Sequence, residues 1–267
     1  MPRLATAFSQ TALVTGATSG IGYELAKLFA QDGIHLVLVA RRAAQLAAIQ
    51  ADFERQHGIR VTCFALDLSQ VGQAAALHQR CRDQGLVVDY LVNNAGYGAY
   101  RDVVQEAAST YEGMLTLNVL ALTLLSTLFA QDMVRRRQGR ILNVGSTSAF
   151  QPVPHMAVYG ASKSYIMHFT EALHAELRGT GVTATVLSPG VTATGFLERA
   201  AMEKWGPAQG SLPTAAAVAQ VGYQAMQQGR LNVVPGLKNK LLALSISLVP
   251  FRRLKLAMAT RFMREGA

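Results

Sequence analysis

The sequence predicts an α/β fold, a Rossmann-type doubly wound parallel sheet of about seven strands with helices on both faces. Three observations predict it. Short apolar runs alternate with longer stretches of helical periodicity along the whole chain. The short runs are apolar throughout, as strands covered on both faces require. And no internal repeat, low-complexity tract or Pro/Ser-rich linker divides the 267 residues, so one domain spanning 1–267 is expected.

The elements follow in order. Thr11–Thr15 is a first strand, joined by a glycine-rich turn to a helix over Gly20–Gln31. His35–Val39 is an unbroken apolar run, followed by helical spacing over Ala43–Gln56. Arg60–Ala65 and Val71–Asp83 repeat the pair, and Tyr90–Asn93 leads to a long helical stretch over Ser109–Arg136. Gly139–Val144 and Val158–Arg178 form the next pair; Thr183–Leu187, Thr214–Gln228 and Leu231–Val234 complete the set. This alternation implies right-handed βαβ crossovers. Residues 191–212 have weaker periodicity and more Gly and Pro, and read as a mobile substrate-side insert near the carboxyl ends of the strands, where such sheets bind ligands.

Half the residues are hydrophobic and 15% are charged, which excludes a disordered chain. The formal charge is +9, but it is localised: from Leu237 onward Lys238, Lys240, Arg252, Arg253, Lys255, Arg261 and Arg264 face the single acid Glu265. No recognition motif accompanies the charge, so nucleic acid is not an expected partner. Cys63 lies in a strand-like run and Cys81 in a helical one; neither belongs to a CxxC pair or to a Cys/His cluster with ligand spacing, so reduced thiols and no metal are expected. The first ten residues lack a signal peptide's apolar core, and no run of about 18 apolar residues occurs, so a cytoplasmic chain without a spanning helix is expected.

The turn after the first strand reads Thr15-Gly16-Ala17-Thr18-Ser19-Gly20-Ile21-Gly22. Glycines allow backbone to approach a ligand closely, and free N–H groups at a helix start attract a pyrophosphate. About 20 residues on, where a carboxylate would hold an unphosphorylated ribose, stand Ala40, Arg41 and Arg42. Two cations opposing a helix N-terminus suggest an anionic partner, and guanidinium pairs well with a 2′-phosphate, so NADP(H) is the expected cofactor. Tyr159 and Lys163 are one helical turn apart, so both project from one face. By spacing alone such a pair is more readily an ordinary surface pair on an amphipathic helix.

In this order, Thr15-Gly16-x-x-x-Gly20-x-Gly22, Asp67, Asn93-Asn94-Ala95-Gly96, Asn118, Ser146, Tyr159-Gly160-Ala161-Ser162-Lys163 and Pro189-Gly190, the chain resembles the compact short-chain dehydrogenase/reductases over nearly its whole length. It looks similar to their NADP-preferring branch of hydroxysteroid dehydrogenases and 3-ketoacyl reductases. The resemblance implies an NADP(H)-dependent oxidoreductase interconverting a carbonyl and a secondary alcohol. It also implies roles. Asp67 and the Leu68 backbone would take the adenine, Asn94, Ala95 and Gly96 would wall the cofactor, Lys163 would bind the nicotinamide ribose, and Pro189, Gly190 and Thr192 would hold the carboxamide. It implies a homodimer or homotetramer paired through Ser109–Arg136 and Val158–Arg178.

On its own chemistry, a phenol with a pKa near 10 is a poor base at neutral pH, and the Lys163 ammonium is expected to lower it. Ser146 can donate to the substrate oxygen, and Asn118 would hold a water linking Lys163 to solvent. Ser148, Ala149, Phe150, Val153, Tyr97 and the Val191–Leu212 insert, with Phe196, Leu197 and Trp205, are the expected pocket lining, which suits a hydrophobic ketone or alcohol. His155 reads as a loop histidine, and His168 and His174 as packing or surface residues. A non-catalytic NADP-binding sensor or scaffold is the alternative. In the 237–267 extension, apolar Leu241–Val249 and amphipathic Phe251–Met263 read either as helices over the pocket or an oligomer interface, or as a peripheral contact with anionic lipid.

Overall fold

The structure, a computed structural model, describes residues 10–202 and 211–264. Seven parallel strands form one sheet in the order β3-β2-β1-β4-β5-β6-β7. They are β1 (Thr11–Thr15), β2 (His35–Ala40), β3 (Val61–Ala65), β4 (Tyr90–Asn93), β5 (Gly139–Val144), β6 (Val182–Leu187) and β7 (Asn232–Val233). The helices are α1 (Gly20–Gln31), α2 (Ala43–His57), α3 (Gln73–Asp83), α4 (Ala108–Leu115), α5 (Leu122–Arg136), α6 (Ala157–Glu176), α7 (Phe196–Arg199), α8 (Ala215–Gln227), α9 (Leu237–Leu248) and α10 (Arg252–Arg264).

Strand side chains alternate between two faces, and both faces are apolar because both are covered. Ala12, Val14, Leu36, Leu38 and Val92 pack on one side with Leu25 and Phe29 of α1 and Met226 of α8. Leu13, Val37, Leu91 and Ile141 pack on the other with Leu77 of α3 and Leu125, Phe129 and Met133 of α5. Cys81 is buried in that second layer and Cys63 is half-buried; burial pushes both thiols up, to about 12 and about 11.

Several expected elements are corrected. The helix expected from Val71 begins at Gln73, because Gly72 turns the chain with φ +88°. The last strand is two residues long, held to β6 by the pairs Val186–Asn232 and Leu187–Val233. The long helix between β4 and β5 is not uniformly α: Thr116–Ala121 is a π segment, a widening that often marks functional positions. By length and composition this helix, Ala108–Arg136, is also apolar enough to cross a membrane, with a mean hydropathy of 1.8 over its most apolar 18 residues, although no unbroken apolar run announces it. Half of that window is buried, with Ala121, Leu125, Phe129 and Ala130 packed on the sheet.

The strand order reverses between β1 and β4, so the connections leaving these neighbours diverge to opposite faces. A crevice opens there at the carboxyl ends of the strands.

Candidate active site

That crevice is a cavity of about 700 Å³. Its wall brings together Gly16, Thr18, Ser19, Gly20, Ile21, Arg41, Arg42, Asp67, Leu68, Asn94, Ala95, Gly96, Ser146, Tyr159, Lys163, Pro189, Gly190 and Thr192. These come from distant parts of the sequence, and the sheet converges them.

The turn after β1 is built for close approach. Gly16 has φ +65°, and a Cβ there would lie 2.7 Å from Asn94 Nδ2. Asn94 locks the turn: Nδ2 donates to the carbonyls of Thr15 (2.9 Å) and Gly16 (3.2 Å). The N–H groups of Asn94 and Ala95 both donate to Thr15 Oγ1 at 3.0 Å. Ser19 precedes α1 without a side-chain capping bond, so the first-turn N–H groups are left for an anionic ligand.

Gly22 does not line the cavity. It is the contact that lets α1 close on the turn, since a Cβ there would lie 2.3 Å from Asn94 Nδ2 and 2.5 Å from the Gly16 carbonyl oxygen. Gly22→Ala is therefore expected to cost about 1–3 kcal/mol through forced backbone movement. It should also weaken coenzyme binding, both effects being read by thermal melting with and without NADPH.

Arg41 and Arg42 are exposed where α2 begins, and α2 has no acid in its first turn. Arg42 Nη2 donates to Thr18 Oγ1 at 3.2 Å, which brings it against the glycine turn. Asp67 Oδ1 accepts from the N–H (3.0 Å) and hydroxyl (2.7 Å) of Ser69. Burial alone would raise this carboxyl, but the Ser69 hydrogen bonds and the charges of Arg41 and Arg199 outweigh it and hold it below its ordinary value.

Ser146, Tyr159 and Lys163 are all buried. Tyr159 and Lys163 share one face of α6, with Lys163 Nζ 5.6 Å from the centre of the Tyr159 ring. Ser146 follows β5; its Oγ accepts from the Ser148 N–H at 3.1 Å and lies on the phenol side of Tyr159, where it favours the phenolate. The expected lowering of the phenol does not occur here. Burial pushes Tyr159 up to about 12, with the Ser146 hydroxyl opposing it. The physical reason lies in the lysine: burial depresses it to about 8, and Nζ donates to the Val144 carbonyl at 2.7 Å instead of to the phenol.

Asn118 lies in the π segment behind the wall. Its Oδ1 accepts from the Tyr97 N–H (3.2 Å), and its Nδ2 donates to the Tyr97 carbonyl (3.0 Å) and to Ser162 Oγ (3.2 Å). These bonds position the loop after β4. Thr192 Oγ1 likewise donates to the Gly190 carbonyl at 2.9 Å, and Pro189 accepts from the Thr147 N–H at 2.9 Å.

Of the expected pocket lining, Ser148, Val153, Tyr97, Phe196 and Leu197 reach the cavity. Ala149 and Phe150 do not, being carried off the wall by the 3₁₀ turn Thr147–Phe150. Trp205 lies outside the described residues. His155, His168 and His174 are off the wall as well; His155 pairs with Asp102 at 2.7 Å and His174 bonds the Ala184 carbonyl at 2.7 Å. Arg199 and Met202 reach the cavity from the 191–212 insert expected on the substrate side, and Asn239, Leu242 and Ile246 from the extension read as helices over the pocket; Met156 lines it without having been expected. Arg199 extends from α7 over the Tyr97 ring, 4.5 Å from its centre.

The donor set suits a dinucleotide: open helix N–H groups, a glycine cradle that Cβ atoms would fill, and clustered guanidinium groups. A family profile described as short chain dehydrogenase matches residues 10–205. The very-long-chain 3-oxoacyl-CoA reductase of Anas platyrhynchos is 29% identical over 228 residues, spanning 82% of this chain and 71% of that one. A short-chain dehydrogenase from Sphingobium yanoikuyae solved in complex with NADPH superposes with a TM-score of 0.81 at 30% identity, over 93% of this chain and 95% of that one. A short chain dehydrogenase/reductase from Burkholderia phymatum solved with NAD gives 0.80 at 25% identity, over 88% and 92%.

Proposed function

The chain belongs to the short-chain dehydrogenase family, and from that premise we propose that it is an NADPH-dependent reductase of an apolar ketone in which Tyr159 donates the proton. The observation that carries this reading is the convergence of Ser146, Tyr159 and Lys163 on the cavity that the glycine turn and Arg41/Arg42 also line. NADPH, when bound, supplies the reducing equivalent.

The first-turn N–H groups of α1 would hold its pyrophosphate, Arg41 and Arg42 its 2′-phosphate, and Asp67 with Leu68 its adenine. Asn94 to Gly96 wall it, Lys163 would take the ribose hydroxyls, and Pro189, Gly190 and Thr192 the carboxamide. A phenol held at about 12 keeps its proton at neutral pH, which suits donation to an oxygen gaining negative charge. Ser146 stabilises that oxygen by a hydrogen bond, and Asn118 is a positioning residue for the wall at Tyr97.

Val153, Met156, Phe196, Leu197 and Met202 make the substrate side apolar. This agrees with an acyl-type ketone, the class that the relative's name carries. Copies are inferred to pair through Ser109–Arg136 and Val158–Arg178, where Leu120 and Tyr165 are exposed.

NADPH oxidation measured against a panel of aliphatic and cyclic ketones tests the activity. Binding of NADPH with no turnover of any ketone would sink it. Arg41→Ala/Arg42→Ala is expected to weaken NADPH by about tenfold to a hundredfold, the loss of one or two charge-assisted hydrogen bonds, and to leave NADH affinity unchanged. Fluorescence titration reads both affinities, and equal losses would refute the 2′-phosphate assignment.

A further inference from the structure

The two C-terminal helices are apolar on opposite sides. On α9, Asn239, Leu242, Ala243 and Ile246 line the cavity. Leu237, Leu241, Leu244 and Leu248, spaced four, three and four apart, form a second stripe on the far side and are 72%, 57%, 57% and 72% exposed. α10 repeats the arrangement: Ala259 and Met263 are buried, while Leu254 and Met258 are 50% and 51% exposed, with Phe251 just ahead of the helix at 69%. The Tyr100 hydroxyl donates to the Met263 carbonyl at 2.7 Å, which ties α10 to the cavity side of the domain.

A helix on a soluble domain needs one apolar stripe. A second, outward one of this extent marks contact with another apolar phase, and charge identifies the phase. Lys238, Lys240, Arg252 and Arg253 are exposed around the stripes, and no Asp or Glu occurs between positions 237 and 264. Leucines flanked by cations match acyl chains beneath anionic headgroups. A second copy of the chain would set these cations against their own kind.

We propose that α9 and α10 seat the protein on an anionic lipid bilayer, and that its apolar substrate enters the cavity from the lipid past Leu242 and Ile246. The second half of this statement rests on the reading of the cavity as a ketone-reducing site.

The test uses the full chain with phosphatidylcholine vesicles and with vesicles in which a third of the lipid is phosphatidylglycerol. The protein is expected to cofloat with the anionic vesicles and to be released by salt. Each cation near such a surface is worth about fivefold in partitioning, so Lys238→Glu/Lys240→Glu is expected to lose at least about twentyfold. Leu241→Glu/Leu244→Glu should abolish flotation and slow turnover of a long-chain ketone presented in vesicles, while turnover of a short water-soluble ketone is unchanged. Active protein that does not float with anionic vesicles overturns the docking face. So does a Leu241→Glu/Leu244→Glu variant that halves the particle mass without changing vesicle binding, which would make the stripe a contact between copies. Equal turnover of the vesicle-borne ketone by both proteins overturns entry from the lipid. No turnover of the soluble ketone by the unmodified chain would count against the reductase reading alone, since flotation is read independently.

Discussion

Tyr159→Phe is expected to lower ketone turnover by about a thousandfold, within the range contributed by a positioned proton donor, while NADPH still binds. The substitution removes one oxygen from a ring that stays buried against Phe196, whose ring centre lies 5.2 Å away, so the cavity keeps its shape. Ser146 keeps its bond from the Ser148 N–H, so the fold stays intact. Stopped-flow measurement separates coenzyme binding from the chemical step. Near-normal turnover in the variant would remove Tyr159 as proton donor and transfer the role to Ser146 or a water. Intact NADPH binding with no turnover would separate this residue from those that merely hold the coenzyme.

The strands were legible almost to the residue because a strand buried on both faces must be apolar at every position. β7 is the exception. An edge strand needs only as many residues as its single neighbour pairs, and β6 pairs two. The C-terminal helices were legible as apolar segments, but the split into one face on the cavity and one exposed face was not: periodicity reports that a face is apolar, not what covers it. The widening at Thr116–Ala121 was invisible for a related reason, since one inserted residue scarcely disturbs a 3.6-residue pattern.

At the site, residues bound by backbone requirements were the readable ones. Gly16 and Gly22 are demanded by contacts that a Cβ would violate, and such demands leave a mark in sequence. Arg199 leaves none, because only the fold brings α7 over Tyr97. The phenol's pKa was misjudged for the same reason. Four-residue spacing puts a lysine near a tyrosine, but whether charge or burial wins depends on how deeply the fold encloses both. Here enclosure wins twice, raising the acid and weakening the base that was to lower it.

That double enclosure makes Lys163 a site where function opposes stability. Its folded value of about 8 lies below its ordinary 10.5, so the unfolded chain holds the proton more tightly. The resulting penalty is fully present below pH 8 and fades as pH rises from about 8 to 10.5. It amounts to about 3 kcal/mol at neutral pH, from which Lys163→Met must give back about 1 kcal/mol for the Val144 carbonyl left without its donor. Lys163→Met is therefore expected to be more stable by about 2 kcal/mol at pH 7, a rise in Tm of roughly 4–8 °C that shrinks to nothing by about pH 10. Turnover should fall at least about a hundredfold in the same variant, since its cation no longer holds the ribose or favours proton transfer. Turnover by the unmodified enzyme should decline as pH rises through about 8, where Lys163 loses its charge. Thermal melts of both proteins across this range, beside rates of NADPH oxidation, decide the matter. A destabilised Lys163→Met at pH 7 would show that the lysine is held charged by partners stronger than the Val144 carbonyl, and the proposed balance between burial and catalysis at this residue would be wrong.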